Sequence, residues 1–353
     1  MVLAGLVVLS APLLAARGGS NFGFYDITGC HRSDFGVLKQ YNEKTHPVAY
    51  AAINDALVDM YNAGQRRLRI PVFHSTNSVQ NRNGSVIPHG NGAENAYGNN
   101  MRALLKKLDA LGYHSVIVGS FPVSSSEPET WTGWNLNNPT ADSRYQANKA
   151  LVFNMYRWVA DTVNKYNLGI SFKIDLRNEG APNQWTHPHK LVYAQTLWQD
   201  FLAEFNNAGR ANSLGFSVAA SMPNGQFGGI RSQIDHFQII YGSQPPYLFD
   251  YHIYGSDLGS PGSTQPNDAD EYAKLVEIDR YMSSKGYGQG LIVGETYYND
   301  TESADNLADA IAAISRPVFY VLQWPRTRAN PQGCSQVDTA PPVAYDQMIN
   351  AGL

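Results

Sequence analysis

Short runs of β-branched and aromatic residues recur along the chain, each followed by a stretch of helical periodicity, and the alternation repeats eight times. The strand candidates are 21–27 (NFGFYDI), 67–73 (RLRIPVF), 114–120 (HSVIVGS), 170–176 (ISFKIDL), 215–221 (GFSVAAS), 247–253 (YLFDYHI), 290–296 (GLIVGET) and 317–324 (PVFYVLQW). Helices are expected around 48–63, 99–111, 143–166, 189–208, 229–240, 268–285, 304–315 and 342–351. Glycine at 64, 112 and 286 falls just past a helical run, where the chain needs a left-handed residue to stop. Strict strand-then-helix order predicts a parallel sheet with helical crossovers. Eight units favour an α/β fold of the closed (β/α)8 TIM-barrel type over a doubly wound open sheet. No glycine-rich fingerprint follows the first strand and no P-loop occurs, which weakens the nucleotide-binding forms of the open sheet. No linker splits the chain, so residues 17–353 are expected to form one domain, with 74–98 and 121–142 as long loops on the face that carries the site.

Composition narrows the partners. With 353 residues, 43% of them hydrophobic, the chain can bury a large core. A formal charge of −4 without any basic run makes neither a phosphate backbone nor an anionic membrane an evident partner, and a neutral substrate fits better. The 21 Tyr and 6 Trp fall often in loops, where flat rings either stack on ligands or pack the rim. Residues 1–16, MVLAGLVVLSAPLLAA, have the apolar run and small-residue ending of a signal peptide, so a secreted protein is expected. Two cysteines, Cys30 and Cys334, lack metal-site spacing. In a closed barrel they sit past the neighbouring first and eighth strands, and either a disulfide or two buried thiols is consistent with that. The histidines 74, 187 and 189 come with no Cys or Asp at ligand spacing, so no metal and no cofactor is expected.

Sites of such barrels lie at the C-terminal ends of the strands. Two glutamates stand there: Glu179 just past the fourth strand and Glu295 at the end of the seventh. Cleaving a glycosidic bond takes one carboxyl to protonate the leaving oxygen and another to attack or to activate water, and strands four and seven face each other across a barrel. Asn178 is placed to meet a sugar 2-hydroxyl, and Arg69 on the second strand to orient a carboxylate. His252 and Tyr254 share one face of the sixth strand, where the phenol can donate to the nucleophile, and Trp324 ends the eighth as the floor of a sugar subsite. Trp131, Trp134, Trp185 and Tyr297 are candidates either for further stacking positions or for loop anchors.

This ordered set resembles the clan A glycoside hydrolases, closest in pattern to family 5 cellulases and mannanases. The residues that carry the likeness are Arg69 in LRIPV, Asn178-Glu179 in DLRNEG, His252 and Tyr254 in YHIYG, Glu295 in IVGET and Trp324 in LQWP. The resemblance implies a retaining enzyme with Glu179 as acid/base, its pKa raised, and Glu295 as nucleophile. It also implies a β-linked poly- or oligosaccharide substrate; the long loops and their aromatics suggest an open cleft and so endo-acting attack on a glucan or mannan, and a monomer is expected. Two positions depart: Gly180 stands where proline often follows Asn-Glu, and Gly119-Ser120 where a histidine commonly ends strand three. A carbohydrate-binding barrel without catalysis is the alternative, and retention of the whole polar set argues against it.

Overall fold

Period-two alternation builds the strands. In β2 (Arg67–Ser75), Leu68, Ile70 and Val72 are buried in the core beneath the helices, while Arg69 reaches across the barrel interior. β7 (Gly290–Glu295) does the same, with Leu291 and Val293 outward and Ile292 inward. The other strands are β1 (Gly18–Asn21), β3 (Ser115–Pro122), β4 (Ser171–Arg177), β5 (Ser213–Phe216, resuming at Val218–Ala219), β6 (Leu248–His252) and β8 (Val318–Gln323). They come from a computed structural model, which describes residues 18–23, 36–76, 86–89, 93–220, 226–255, 269–327 and 340–353. All the strand pairings are parallel, in the order β5, β4, β3, β2, β1, β8, β7, β6, β5. The two ends of that path are the two pieces of β5, separated by Ser217 alone, so the sheet closes into a barrel. Ile117, Leu214, Leu248, Ile292, Tyr320 and Leu322 form a separate apolar cluster contributed by alternate inward positions.

A main helix follows each barrel strand: α1 (Pro47–Asn62), α2 (Ala93–Leu111), α3 (Ser143–Tyr166), α4 (Pro188–Ala211), α5 (Gly228–Tyr241), α6 (Ala269–Ser284), α7 (Thr301–Ala313) and α8 (Asp346–Asn350); a one-turn helix, Val37–Gln40, precedes α1, and a two-residue strand, Ile87–Pro88, pairs with the end of β2. The glycines after α1, α2 and α6 do stop them, with φ of 97°, 90° and 80°. Asp142 and Asp300 cap α3 and α7 by accepting from the backbone N–H of Arg144 and Ser303, each at 2.8 Å. Among the described residues no helix is long and apolar enough to cross a membrane. Residues 1–16, Cys30 and Cys334 lie outside the described residues.

Several element boundaries differ from the sequence expectation, α2 for instance starting at Ala93 and not at 99, and three of the differences have a plain local reason. The first strand is Gly18–Asn21, with only its end inside the expected 21–27. A Cβ at Gly18 would lie 1.3 Å from the Tyr345 hydroxyl, and one at Gly19 1.7 Å from the Arg67 carbonyl. Close approach of backbones thus selects GGSN, which no hydrophobic pattern marks. β5 is broken at Ser217, whose N–H and hydroxyl donate to the two oxygens of Asp175 (3.2 and 3.0 Å). The last helix starts at Asp346 because the side-chain amides of Gln65 and Gln323 take the carbonyls of Pro342, Val343 and Ala344, holding that stretch out of the helix.

Behind β7, Glu271 of α6 is fully buried and accepts from Ser303 Oγ at 2.8 Å and Thr296 Oγ1 at 3.3 Å. Burial pushes its carboxyl up to about 8, against 4.5 when free. The fold therefore takes up a proton between those two values, and stability falls as pH rises through that window. Glu271→Gln, which keeps the shape and needs no proton, is expected to be more stable than the wild type by about 3 kcal/mol at pH 7, with the gap vanishing toward pH 4.5. Urea unfolding at both pH values checks this; equal midpoints at pH 7 would show that Glu271 is buried as a carboxylate.

Candidate active site

Arg69 is the hub of the polar layer above the apolar plug. Its Nη1 donates to Glu295 Oε1 (2.7 Å) and Asn21 Oδ1 (3.2 Å), and its Nη2 to Asp175 Oδ2 (2.5 Å) and Asn178 Oδ1 (2.8 Å). One guanidinium thereby joins β1, β4 and β7. Burial works against its charge, but Asp175, Asp250 and Glu295 more than compensate and hold it protonated. A Cβ at Gly119 would come within 3.4 Å of Arg69 Nε, so the small residue on β3 leaves the arginine its room. Beside it, Ser120 Oγ is 2.8 Å from Nε2 of His74, so the imidazole in this region comes from β2. His74 Nδ1 in turn lies 2.8 Å from His89 Nε2, and burial keeps both rings neutral, His89 near 4.

Glu295 is engaged on both oxygens, Oε1 by Arg69 and Oε2 by the Tyr254 hydroxyl at 3.0 Å. Burial and the two nearby carboxylates hold that phenol far above its usual pKa, so it stays a donor. Tyr297 is buried with its ring edge-on to Tyr254 at 5.0 Å, a prop for the phenol with no face left for a ligand.

Glu179 sits past β4 on a left-handed backbone, φ 47°, uncommon for a residue with a side chain. The turn that imposes it is closed by Gly180 N–H to Arg177 C=O (3.1 Å), and Glu179 N–H donates to Ser217 Oγ (2.7 Å). Proline lacks that N–H, and a Cβ at 180 would meet the Arg177 carbonyl at 2.8 Å, so glycine replaces the commoner residue for a geometric reason. The Glu179 side chain is 44% exposed to the cleft.

His252 Nδ1 lies 3.2 Å from Glu179 Oε1 and 3.3 Å from Glu295 Oε1, bridging the pair. Burial lowers its pKa, yet the two glutamates and Asp250 raise it overall. The raised Glu179 pKa expected from the sequence is not what this arrangement produces. Burial does push that carboxyl up, but the His252 hydrogen bond and charge, helped by Lys190 and Arg69, bring it below the ordinary value.

One oxygen each of Glu179 and Glu295 and one nitrogen of His252 lie within 4.8 Å of one another, a donor set a cation could use. Both Glu295 oxygens are already taken, however, one by a permanently charged guanidinium 2.7 Å away. The chemistry of the set is that of a proton and charge network.

The cleft, about 300 Å³, is lined by Asn178, Glu179, Tyr254, Glu295 and Trp324 together with Phe73, Phe121 and Arg326. Arg69 and His252 lie directly beneath. Trp131 and Trp134 are different. They are 2% and 5% exposed, donate their indole N–H to Ser125 C=O (2.8 Å) and Pro139 C=O (3.1 Å), and pack edge-on to each other and to Tyr193. They anchor the loop after β3 and offer no stacking face. Trp185 is 59% exposed beside Gly228 at the start of α5, open to a ligand but not among the cleft residues. His187 caps α4 and His189 meets the Pro128 carbonyl at 2.9 Å, so neither joins His74.

Sequence reasoning missed Asp175, Asp250, Phe73, Phe121 and Arg326. For the two aspartates a signal existed: an acid inside an otherwise apolar strand, IDL and LFDY, is rarely buried without a purpose. Phe73 and Phe121 read as ordinary strand residues. Their rings stand 5.1 Å apart, and Phe121 stacks at 24° on Trp324, 6.1 Å away.

No protein-family model matches the chain, and no curated protein matches it either. Solved structures do. A mannanase from Cryptopygus antarcticus superposes with a TM-score of 0.51 at 13% identity over 96% of this chain and 91% of its own. A GH5 xyloglucan-specific endo-β-1,4-glucanase from a metagenomic library gives 0.51 at 13% over 95% of each. A GH5-4 broad-specificity endoglucanase from Clostridium longisporum gives 0.50 at 14% over 96% and 95%. At such identities the likeness concerns architecture, and the architecture is a (β/α)8 barrel of the kind found in the family 5 enzymes of clan A.

Proposed function

We propose that the protein is a retaining glycoside hydrolase that cleaves internal β-linkages of a polysaccharide, with a glucan or mannan chain favoured. The observation that carries this is the close carboxyl pair: the nearer oxygen of Glu179 and that of Glu295 lie within 4.8 Å of each other, and a single nitrogen of His252 reaches both residues (3.2 and 3.3 Å), across one open cleft. Retaining enzymes hold their two carboxyls about 5–5.5 Å apart, whereas inverting ones leave about 6.5–9.5 Å for an intervening water. Solved structures of the same architecture whose names state glucanase or mannanase activity add to the case.

Glu295, oriented by Arg69 and Tyr254, attacks the anomeric carbon of a sugar resting on Trp324. Glu179 gives a proton to the departing oxygen. In the free protein His252 holds Glu179 ionised; a sugar covering the cleft removes water, raises the carboxyl and draws a proton to it, with His252 Nδ1 the nearest source at 3.2 Å. Asn178 meets the 2-hydroxyl, an interaction that strengthens as the ring flattens. Glu179 then takes a proton from water, which displaces Glu295 with net retention. The reading includes export after removal of residues 1–16.

Reducing-sugar release from β-glucans, mannans and xylan tests this. Release from one polymer, abolished in both Glu179→Gln and Glu295→Gln, is expected; a protein that binds such polymers but cuts none is a lectin-like barrel. A pH profile tests the role of His252. Removing its charge in His252→Gln leaves burial opposed only by Lys190 and Arg69, so the pKa of Glu179 rises and the alkaline limb of kcat/KM moves to higher pH. A limb that stays in place would mean that another group sets the protonation of Glu179.

A further inference from the structure

Three arginines stand around the carboxylates. Arg69 is paired with Asp175 and Glu295 and donates as well to Asn178 and Asn21, and Arg177 is held by both oxygens of Glu129 at 2.7 Å, so each has a carboxylate to balance its charge although its Nε, too, is buried without a hydrogen bond among the described residues. Arg326 lines the cleft with Glu179, Glu295, Tyr254 and Trp324, yet among the described residues no carboxylate pairs with it and its buried Nε has no hydrogen-bond partner. Its backbone is fixed, the N–H donating to Trp324 C=O (2.6 Å) and the carbonyl accepting from Tyr298 N–H (3.0 Å). The guanidinium lies 6.0 Å from the centroid of the Tyr254 ring, toward the site. We propose that Arg326 reads a carboxylate on the sugar seated beside Trp324, so that the chain cut here is an acidic glycan.

The argument is one of cost. A half-buried guanidinium whose Nε–H is shut off from water and whose charge has no carboxylate partner among the described residues loses hydration that its distant contact with the Tyr254 ring does not replace. A neutral hydroxyl would be served as well by a carboxamide, without placing a charge in the cleft. A planar carboxylate matches the fork of donors and cancels the charge. It also needs such a partner, because Glu179 and Glu295 in the same cleft repel any anion that enters. The proposal rests on the hydrolase reading above and adds the substrate class to it.

Matched oligosaccharides isolate the effect. β-1,4-glucan and β-1,4-glucuronan hexamers differ only in the C6 carboxyl, as do the corresponding mannan and mannuronan hexamers. Binding is measured by calorimetry in Glu295→Gln and in the same protein carrying Arg326→Gln or Arg326→Lys. In Glu295→Gln, one uronate is expected to bind at least about tenfold tighter than its neutral partner, with the preference weakening in 0.25 M salt. Arg326→Gln should bring the two within about twofold, and Arg326→Lys should keep part of the difference. A neutral chain that binds as well as its uronate, or a uronate preference that survives Arg326→Gln, overturns the proposal while leaving the hydrolase reading intact. Absence of binding by all four chains overturns both.

Discussion

Glu295→Gln is expected to lower turnover by at least about ten-thousand-fold while leaving the fold and the binding of oligosaccharide in place, because the amide keeps the shape of the carboxylate but cannot attack carbon. The amide oxygen can still accept from Arg69, and its NH2, in place of the second oxygen, can donate to the Tyr254 hydroxyl, so the cleft stays assembled. Glu179→Gln should behave differently. It removes the proton donor but leaves the nucleophile, so a substrate with a good leaving group, such as a glycosyl fluoride, should still load Glu295. The glycosyl-enzyme then builds up, for want of a base to activate water. Mass spectrometry of the intact protein reads this directly. A mass increase in Glu179→Gln and none in Glu295→Gln is the expected pair of results; the reverse pattern would exchange the two roles.

The second large effect falls on stability. Arg69→Met deletes a guanidinium that neutralises Asp175 and Glu295 and lies 3.9 Å from Asp250, all of them buried. Breaking one side of a buried ionic network costs about 3–5 kcal/mol, because the remaining charges are stranded away from water. The loss should shrink in acid, where the stranded carboxyls take up protons. Asp250 is already disposed to do so: burial, with the neighbouring acids, raises its carboxyl to about 6 despite Arg69 and His252, and neither of its oxygens meets a hydrogen-bond donor among the described residues. Arg69→Lys should not restore the protein, since an ammonium cannot donate at once to acceptors on three strands. Urea unfolding at pH 7 and pH 5 decides the matter; a loss under 1 kcal/mol at pH 7 would mean that the layer is held by its aspartates and serines without the arginine.

The barrel was legible in the sequence because each strand is buried on its outer side by a helix, and that burial writes a β-branched run into the chain. Where backbone contact does the work instead, as at Gly18 and Gly19, the pattern falls silent and the strand is misplaced. The carboxyl pair, Arg69, Asn178, His252, Tyr254 and Trp324 could be named in advance because strand ends in a barrel converge on one face. Trp131 and Trp134 show the limit of that logic. A loop tryptophan carries the same letter whether it stacks on a ligand or is sealed by its indole N–H and neighbouring rings, and only the fold distinguishes the two. The protonation of Glu179 was misread for a related reason. Its pKa depends on His252, 73 positions away, whose own charge depends on Glu295. Arg326 was passed over because its interest lies in standing in the cleft with no carboxylate paired to it among the described residues, which no sequence records.

The central claim is double displacement by Glu179 and Glu295, and the stereochemistry of the first product tests it most directly. Proton NMR of the anomeric signals, recorded in the first minutes of hydrolysis before mutarotation, should show the β-anomer appearing first from a β-linked chain. Initial appearance of the α-anomer would mean single displacement by water and would contradict the account of Glu295 as nucleophile.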